Sequence, residues 1–97
     1  MNSPTDCSNI QEIRAEIDRI DNEIITALAK RLEYVKEAAK FKQDIEAVHA
    51  PDRHIVMLKQ RIELAGKLGI DPEMVENVYK LLLEYYKQKQ LDIWEDI

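Results

Sequence analysis

Three cations in the first half of the chain, Arg14, Arg31 and Lys42, have types and spacing that allow shared chemistry. Arg31 and Lys42 stand 11 residues apart. On an α-helix that is about 1,100° of turn, only about 20° from the same face, with roughly 16 Å of rise between them. Two long side chains leaning inward from those positions can grip opposite ends of one small ligand. Arg14 lies 17 residues before Arg31, roughly 25 Å along a helix and about 100° round it. No ligand of metabolite size bridges that gap within one chain, but Arg14 of an antiparallel second copy can reach the Arg31 region of the first. A plainer reading competes with this one. Lys and Arg total 14 residues, most such cations are solvated helix-face charges, and Glu16, Asp18, Asp21 and Glu23 are near enough to pair with some of them.

The element that must position these cations is a single stretch from Ser8 to about Gln43. Ile13, Ile17, Ile20, Ile24, Leu28, Leu32, Val35 and Ala39 recur at steps of three and four, the spacing of an amphipathic helix. The stretch holds no Pro or Gly, and Ser8-Asn9 stands ready to cap it. Such a helix is roughly 50 Å long, more than a compact domain of this size can cover. Its uncovered apolar stripe predicts a homodimer in which the long helices pack together. The pattern weakens near Asp44, and Asp44 to Pro51 reads as a loop. A second helix is expected from about Asp52, with Ile55, Leu58, Ile62 and Ala65 inward and Gly69 as its stop. Asp71-Pro72-Glu73 signals a third start. That helix runs towards Trp94 and buries Val75, Val78, Leu82, Tyr85 or Tyr86, and Ile93. The expected fold is therefore all-α, with three helices in a single domain spanning residues 1–97, of which residues 1–7 form a tail.

Composition narrows the functional classes. With 45% hydrophobic and 34% charged residues and only two glycines, the chain suits a helical protein better than a β-rich one. A net charge of −5 argues against nucleic acid or an anionic membrane as partner. The lone Cys7 has no internal disulfide partner, and no Cys/His spacing suggests a metal. No apolar run is long enough for a membrane span, and the first residues lack the features of a signal peptide, so the cytoplasm is the expected compartment.

Taken together, Ile13-Arg14-x-x-Ile17-Asp18-Arg19-Ile20-Asp21-x-x-Ile24, Leu28-x-x-Arg31 and Val35-x-x-Ala38-x-x-Phe41-Lys42 resemble the first helix of the all-helical chorismate mutase family. The likeness continues through Ala50-Pro51-Asp52-Arg53 and Gln90. Ser3-Pro4-x-Asp6-Cys7, Tyr34-Val35-Lys36 and Tyr86 are most similar to the isochorismate-pyruvate lyase branch, whose members make salicylate for siderophores. The resemblance implies an intertwined homodimer with two equivalent sites and no cofactor. Arg31, Lys42, Arg53 and Gln90 would come from one subunit and Arg14 from the other. It implies that Arg14 and Arg31 bind the two substrate carboxylates, that Lys42 and Gln90 hydrogen-bond the ether oxygen, and that Arg53 comes from a closing loop.

The implied reaction is pericyclic. A hydrogen passes from the ring of isochorismate to its enolpyruvyl side chain as the C–O bond breaks, giving salicylate and pyruvate. Rearrangement of chorismate to prephenate, the alternative activity, needs no nucleophile or metal either. Many mutases of this family carry a glutamate directly after the loop arginine. His54 stands there in this chain, which disfavours a dedicated mutase and leaves mutase activity as a weak side reaction. His54 is read as facing the loop, His49 as a solvated loop residue, and Lys87 as lying outside the pocket. Tyr85 and Trp94 are read as packing, and Tyr86 as packing that also lines the pocket. A non-catalytic helical dimerisation module is the third reading.

Overall fold

The computed structural model describes residues 3–41 and 51–95. A short 3-10 turn, Pro4–Asp6, precedes three α-helices: α1, Ile10–Ala39; α2, Pro51–Leu68; and α3, Pro72–Glu95. No strand occurs among the described residues. The expected all-α fold with one very long helix is what forms. The segment read as a loop, Asp44 to Pro51, lies outside the described residues up to Ala50, and Pro51 already opens α2. The chain divides into two units, 1–34 and 35–97, with α1 crossing the division.

In the first unit the start of α1 is fixed by side chains. Asn9 Oδ1 accepts from the Glu12 backbone N–H at 2.9 Å, and Glu12 returns a carboxylate to the Ser8 N–H at 2.6 Å. Two amides that the helix itself leaves without partners are thereby satisfied. Before them, the Ser3 hydroxyl donates to Asp6 at 2.8 Å and closes the 3-10 turn, so residues 4–6 are folded rather than plain tail. The isoleucine stripe of α1 stays in contact with solvent. Ile13, Ile17, Ile20 and Ile24 are 38%, 50%, 44% and 51% exposed. With Pro4 and Cys7, the first three of them line a groove of about 230 Å³ that Glu16 and Arg19 border. Arg19 takes up two of the acids flagged in the sequence, donating to Glu16 at 3.0 Å and to Glu23. The Glu16 hydrogen bond holds its pKa above the ordinary arginine value, against the opposing effect of burial. Its Nη2 is shielded and has no partner among the described residues.

In the second unit α2 and α3 pack together as a hairpin. Its turn satisfies the last carbonyls of α2 in a Schellman arrangement. Ile70 donates to the Ala65 carbonyl at 2.9 Å and Gly69 to that of Gly66 at 3.3 Å. This arrangement needs a left-handed residue, and Gly69 has φ +76°. Asp71 then caps α3, its carboxylate accepting from the Glu73 N–H at 3.0 Å, with Pro72 in the first helical position. The most buried residues of this unit are Ala39 at the end of α1, Met57 and Ala65 on α2, and Tyr86 and Gln90 on α3.

Two inward faces differ from the sequence expectation. On α2, Ile55 is exposed and Met57 is buried. The two flank the expected Leu58–Ile62–Ala65 face on opposite edges, about 160° apart at 100° per residue. Periodicity favours Ile55, which lies about 50° from the centre of that face against about 110° for Met57, so the burial of Met57 reflects the tertiary surroundings of α2 rather than its own pattern. On α3 the inward row is Val75, Tyr79, Leu82, Tyr86 and Gln90, at steps of four, three, four and four, while Val78 and Tyr85 are exposed. Tyr85 still contributes a contact, its ring meeting Tyr86 edge-on at 5.7 Å.

Candidate active site

The five residues singled out in the sequence fall in different parts of the described structure. Arg14 and Arg31 both lie in the first unit on α1. Arg14 is exposed and Arg31 is half-buried. One straight helix carries them, so their separation is the roughly 25 Å that helical rise gives. The structure does not bring these two guanidiniums together within one chain. Lys42 lies outside the described residues.

Arg53 and Gln90 belong to the second unit. Arg53 stands exposed in the first turn of α2. Gln90 is near the end of α3 and only 8% exposed. In a helical hairpin the start of the first helix lies level with the end of the second, so both residues sit at the open end, away from Gly69. Counted from the turn, they are within about a helical turn of each other in height. His54 at the same end is half-buried. Lys87 lies one turn before Gln90, retains 27% of its side-chain exposure and pairs with Glu84 at 3.3 Å. That pairing uses an exposed carboxylate of its own helix.

Gln90 is the best-defined member of the set. Its Nε2 donates to the backbone carbonyl of Val35 at 2.7 Å, across 55 residues of sequence. A carbonyl oxygen has two lone pairs, so Val35 can accept this bond in addition to one from its own helix. The bond settles a buried amide that otherwise costs about 1–3 kcal/mol to leave unpaired. Val35 is the participant that residue-type reasoning did not reach. It acts through its backbone, and no side-chain pattern marks that. A signal did exist for Gln90 itself: it occupies a step of the inward row Val75–Tyr79–Leu82–Tyr86 where an apolar residue belongs.

Among the described residues, no three His, Cys, Asp or Glu side chains converge as a metal site would require. No helix among them is long and apolar enough to cross a membrane. The described members of the set are thus three cations, Arg14, Arg31 and Arg53, and one buried amide, Gln90.

Comparison with known proteins fits this inventory. The chain is similar to the isochorismate pyruvate lyase of Pseudomonas aeruginosa, with 38% identity over 94 residues, 97% of this chain and 93% of that protein. It is 40% identical over 72 residues to the T-protein of Haemophilus influenzae, covering 73% of this chain but only 19% of that longer protein. It is 26% identical over 88 residues to the chorismate mutase of Methanocaldococcus jannaschii, covering 90% of this chain and 89% of the mutase. Residues 13–91, from the isoleucine stripe to just past Gln90, match the family described as chorismate mutase type II. The chain belongs to the chorismate mutase type II family.

Proposed function

We propose that this protein is an isochorismate pyruvate lyase, converting isochorismate to salicylate and pyruvate with a weak chorismate mutase side activity. The observation that carries the reading is the likeness to the Pseudomonas lyase across nearly the whole of both chains. His54 directly after Arg53, where many mutases place a glutamate, supports it. Salicylate made in this way suits siderophore assembly, and the cytoplasm suits the enzyme.

The chemistry asks little of the protein beyond shape and charge. The C–O bond breaks as a ring hydrogen moves to the enolpyruvyl methylene, so all atoms of isochorismate reappear in the two products. The flexible dianion must be held in its compact reactive conformer, and the negative charge gathering on the ether oxygen must be stabilised. Arg14 and Arg31 bind the two carboxylates with guanidinium forks. Lys42 and Gln90 donate to the ether oxygen, a preorganised interaction worth roughly 3–4 kcal/mol for the cation. Arg53 closes over the ligand.

The site is shared within a homodimer, with Arg14 supplied by the second copy. The exposed isoleucines of α1 and the distance from Arg14 to Arg31 support this arrangement. Mixing Arg14→Ala with Arg31→Ala protein and allowing subunit exchange restores one competent site per heterodimer; no recovery after demonstrated exchange overturns the shared site.

A second reading, chorismate mutase, is favoured by the mutase relative of similar length. Incubating purified protein with each substrate separately decides between them. Salicylate fluorescence from isochorismate is the expected result, and rapid prephenate formation without salicylate overturns it. A non-catalytic dimerisation module predicts turnover of neither substrate.

A further inference from the structure

We infer that the Val35 carbonyl is a positioning group for Gln90, fixing its amide so that a donating N–H edge, rather than the carbonyl oxygen, meets the ligand. The inference rests on the functional reading above for what the ligand is, but not for the geometry. A glutamine amide has two nearly isosteric edges, and a rotation of half a turn about its last bond exchanges a donor for an acceptor. A ligand's ether oxygen can only accept, so a freely turning amide would present the wrong edge part of the time. Val35 removes that freedom. Its carbonyl oxygen, at 2.7 Å, can only accept, so the nitrogen must face it and the amide oxygen cannot. Nε2 carries two N–H bonds, and the Val35 bond uses one. The second diverges from it by roughly the 120° of a planar amide nitrogen and shares the same pinned nitrogen. Burial strengthens the selection. At 8% exposure the amide has little water to compensate the flipped form, and that form sets two oxygens against each other at a desolvated position. Val35 lies in the last turns of α1 and Gln90 near the end of α3, within one unit of the structure. The alignment is therefore set by a hydrogen bond between those two helices and is present before any ligand arrives.

The test is NMR on ¹⁵N,¹³C-labelled full-length protein. In the ligand-free state a scalar coupling through the hydrogen bond is expected between Gln90 Nε2 and the Val35 carbonyl carbon. One Gln90 side-chain proton should exchange with solvent at least tenfold more slowly than those of the exposed Gln88. Titration with salicylate and pyruvate together should then move the other Gln90 side-chain proton downfield while the coupling persists. Absence of the coupling, or equal exchange of the two protons, overturns the inference even where isochorismate is turned over. A coupling that vanishes on titration, or a second proton unmoved at saturation, overturns the assignment of the donor edge. Failure to turn over isochorismate with the coupling intact strikes the functional reading and supports the positioning one.

Discussion

Replacing Gln90 by glutamate keeps the length and shape of the side chain and makes its donor conditional on pH. Ionised, the new carboxylate sets an acceptor against the Val35 carbonyl, where the native contact is 2.7 Å. Protonated, its O–H restores the bond. Burial at a position 8% exposed also disfavours the charged form, so both effects raise the pKa of the new group above the ordinary glutamate value near 4.3. Each unit of rise corresponds to about 1.4 kcal/mol. The sign follows from proton binding. The folded state holds the proton more tightly than the unfolded chain, so the favourable contribution is complete below the ordinary glutamate value and is lost as pH rises towards the raised folded pKa. The loss is read between pH 5, where the unfolded chain is already ionised, and pH 8. Urea denaturation of wild type and Gln90→Glu at both pH values and one fixed protein concentration reads the difference directly. The variant should lose more stability than wild type on going from pH 5 to pH 8, by about 1.4 kcal/mol for each unit by which the raised pKa exceeds 5. A stability difference that is the same at both pH values means that the carboxylate escapes to water. That outcome refutes the claim that packing holds this side chain against Val35.

Other contacts predict further outcomes. Gly69→Ala should destabilise by about 1–2 kcal/mol, because φ +76° is costly for any residue with a Cβ, whereas Gly66→Ala should stabilise by about 0.5–1 kcal/mol, because a Cβ there meets nothing within 4 Å; urea midpoints separate the two. Asn9→Ala should cost about 1 kcal/mol by the same assay, through loss of the cap on Glu12. Ile17→Asp, in the middle of the exposed stripe, should shift sedimentation from dimer towards monomer; an unchanged sedimentation coefficient at low micromolar protein counts against α1 as the dimer surface.

Helix existence and polarity were legible in the chain because they depend on local chemistry. Asn9, Asp71, Pro72 and Gly69 each act within a few residues of where they stand, and each does what its type predicts. Rotational detail was not legible. For one helix considered alone Ile55 is the better inward candidate than Met57, and the surroundings of α2 reverse that order. The site divides in the same way. Arg14 and Arg31 are readable as cations at a set interval, and their separation along α1 follows from rise per residue, whereas Arg53 is singled out only by the family resemblance. The Val35–Gln90 bond joins a backbone atom to a side chain across 55 positions, and nothing local encodes that pairing.

The placement of charged and neutral donors follows one physical constraint. Arg14 and Arg53 occupy exposed positions and Arg31 a half-buried one, while the most buried donor of the set is the neutral amide of Gln90. A lysine or arginine in the row of Tyr86 and Gln90 would need desolvation of a full charge, far costlier than that of an amide. The amide can sit there because Val35 satisfies one of its N–H groups, and satisfying it is also what orients the other. Under the proposed function, packing and ligand recognition therefore depend on the same 2.7 Å contact. A substitution that empties a buried position of this unit, such as Met57→Ala, should disturb the direction of the Gln90 donor before it unfolds α3, so activity should fall at temperatures where helicity is still intact.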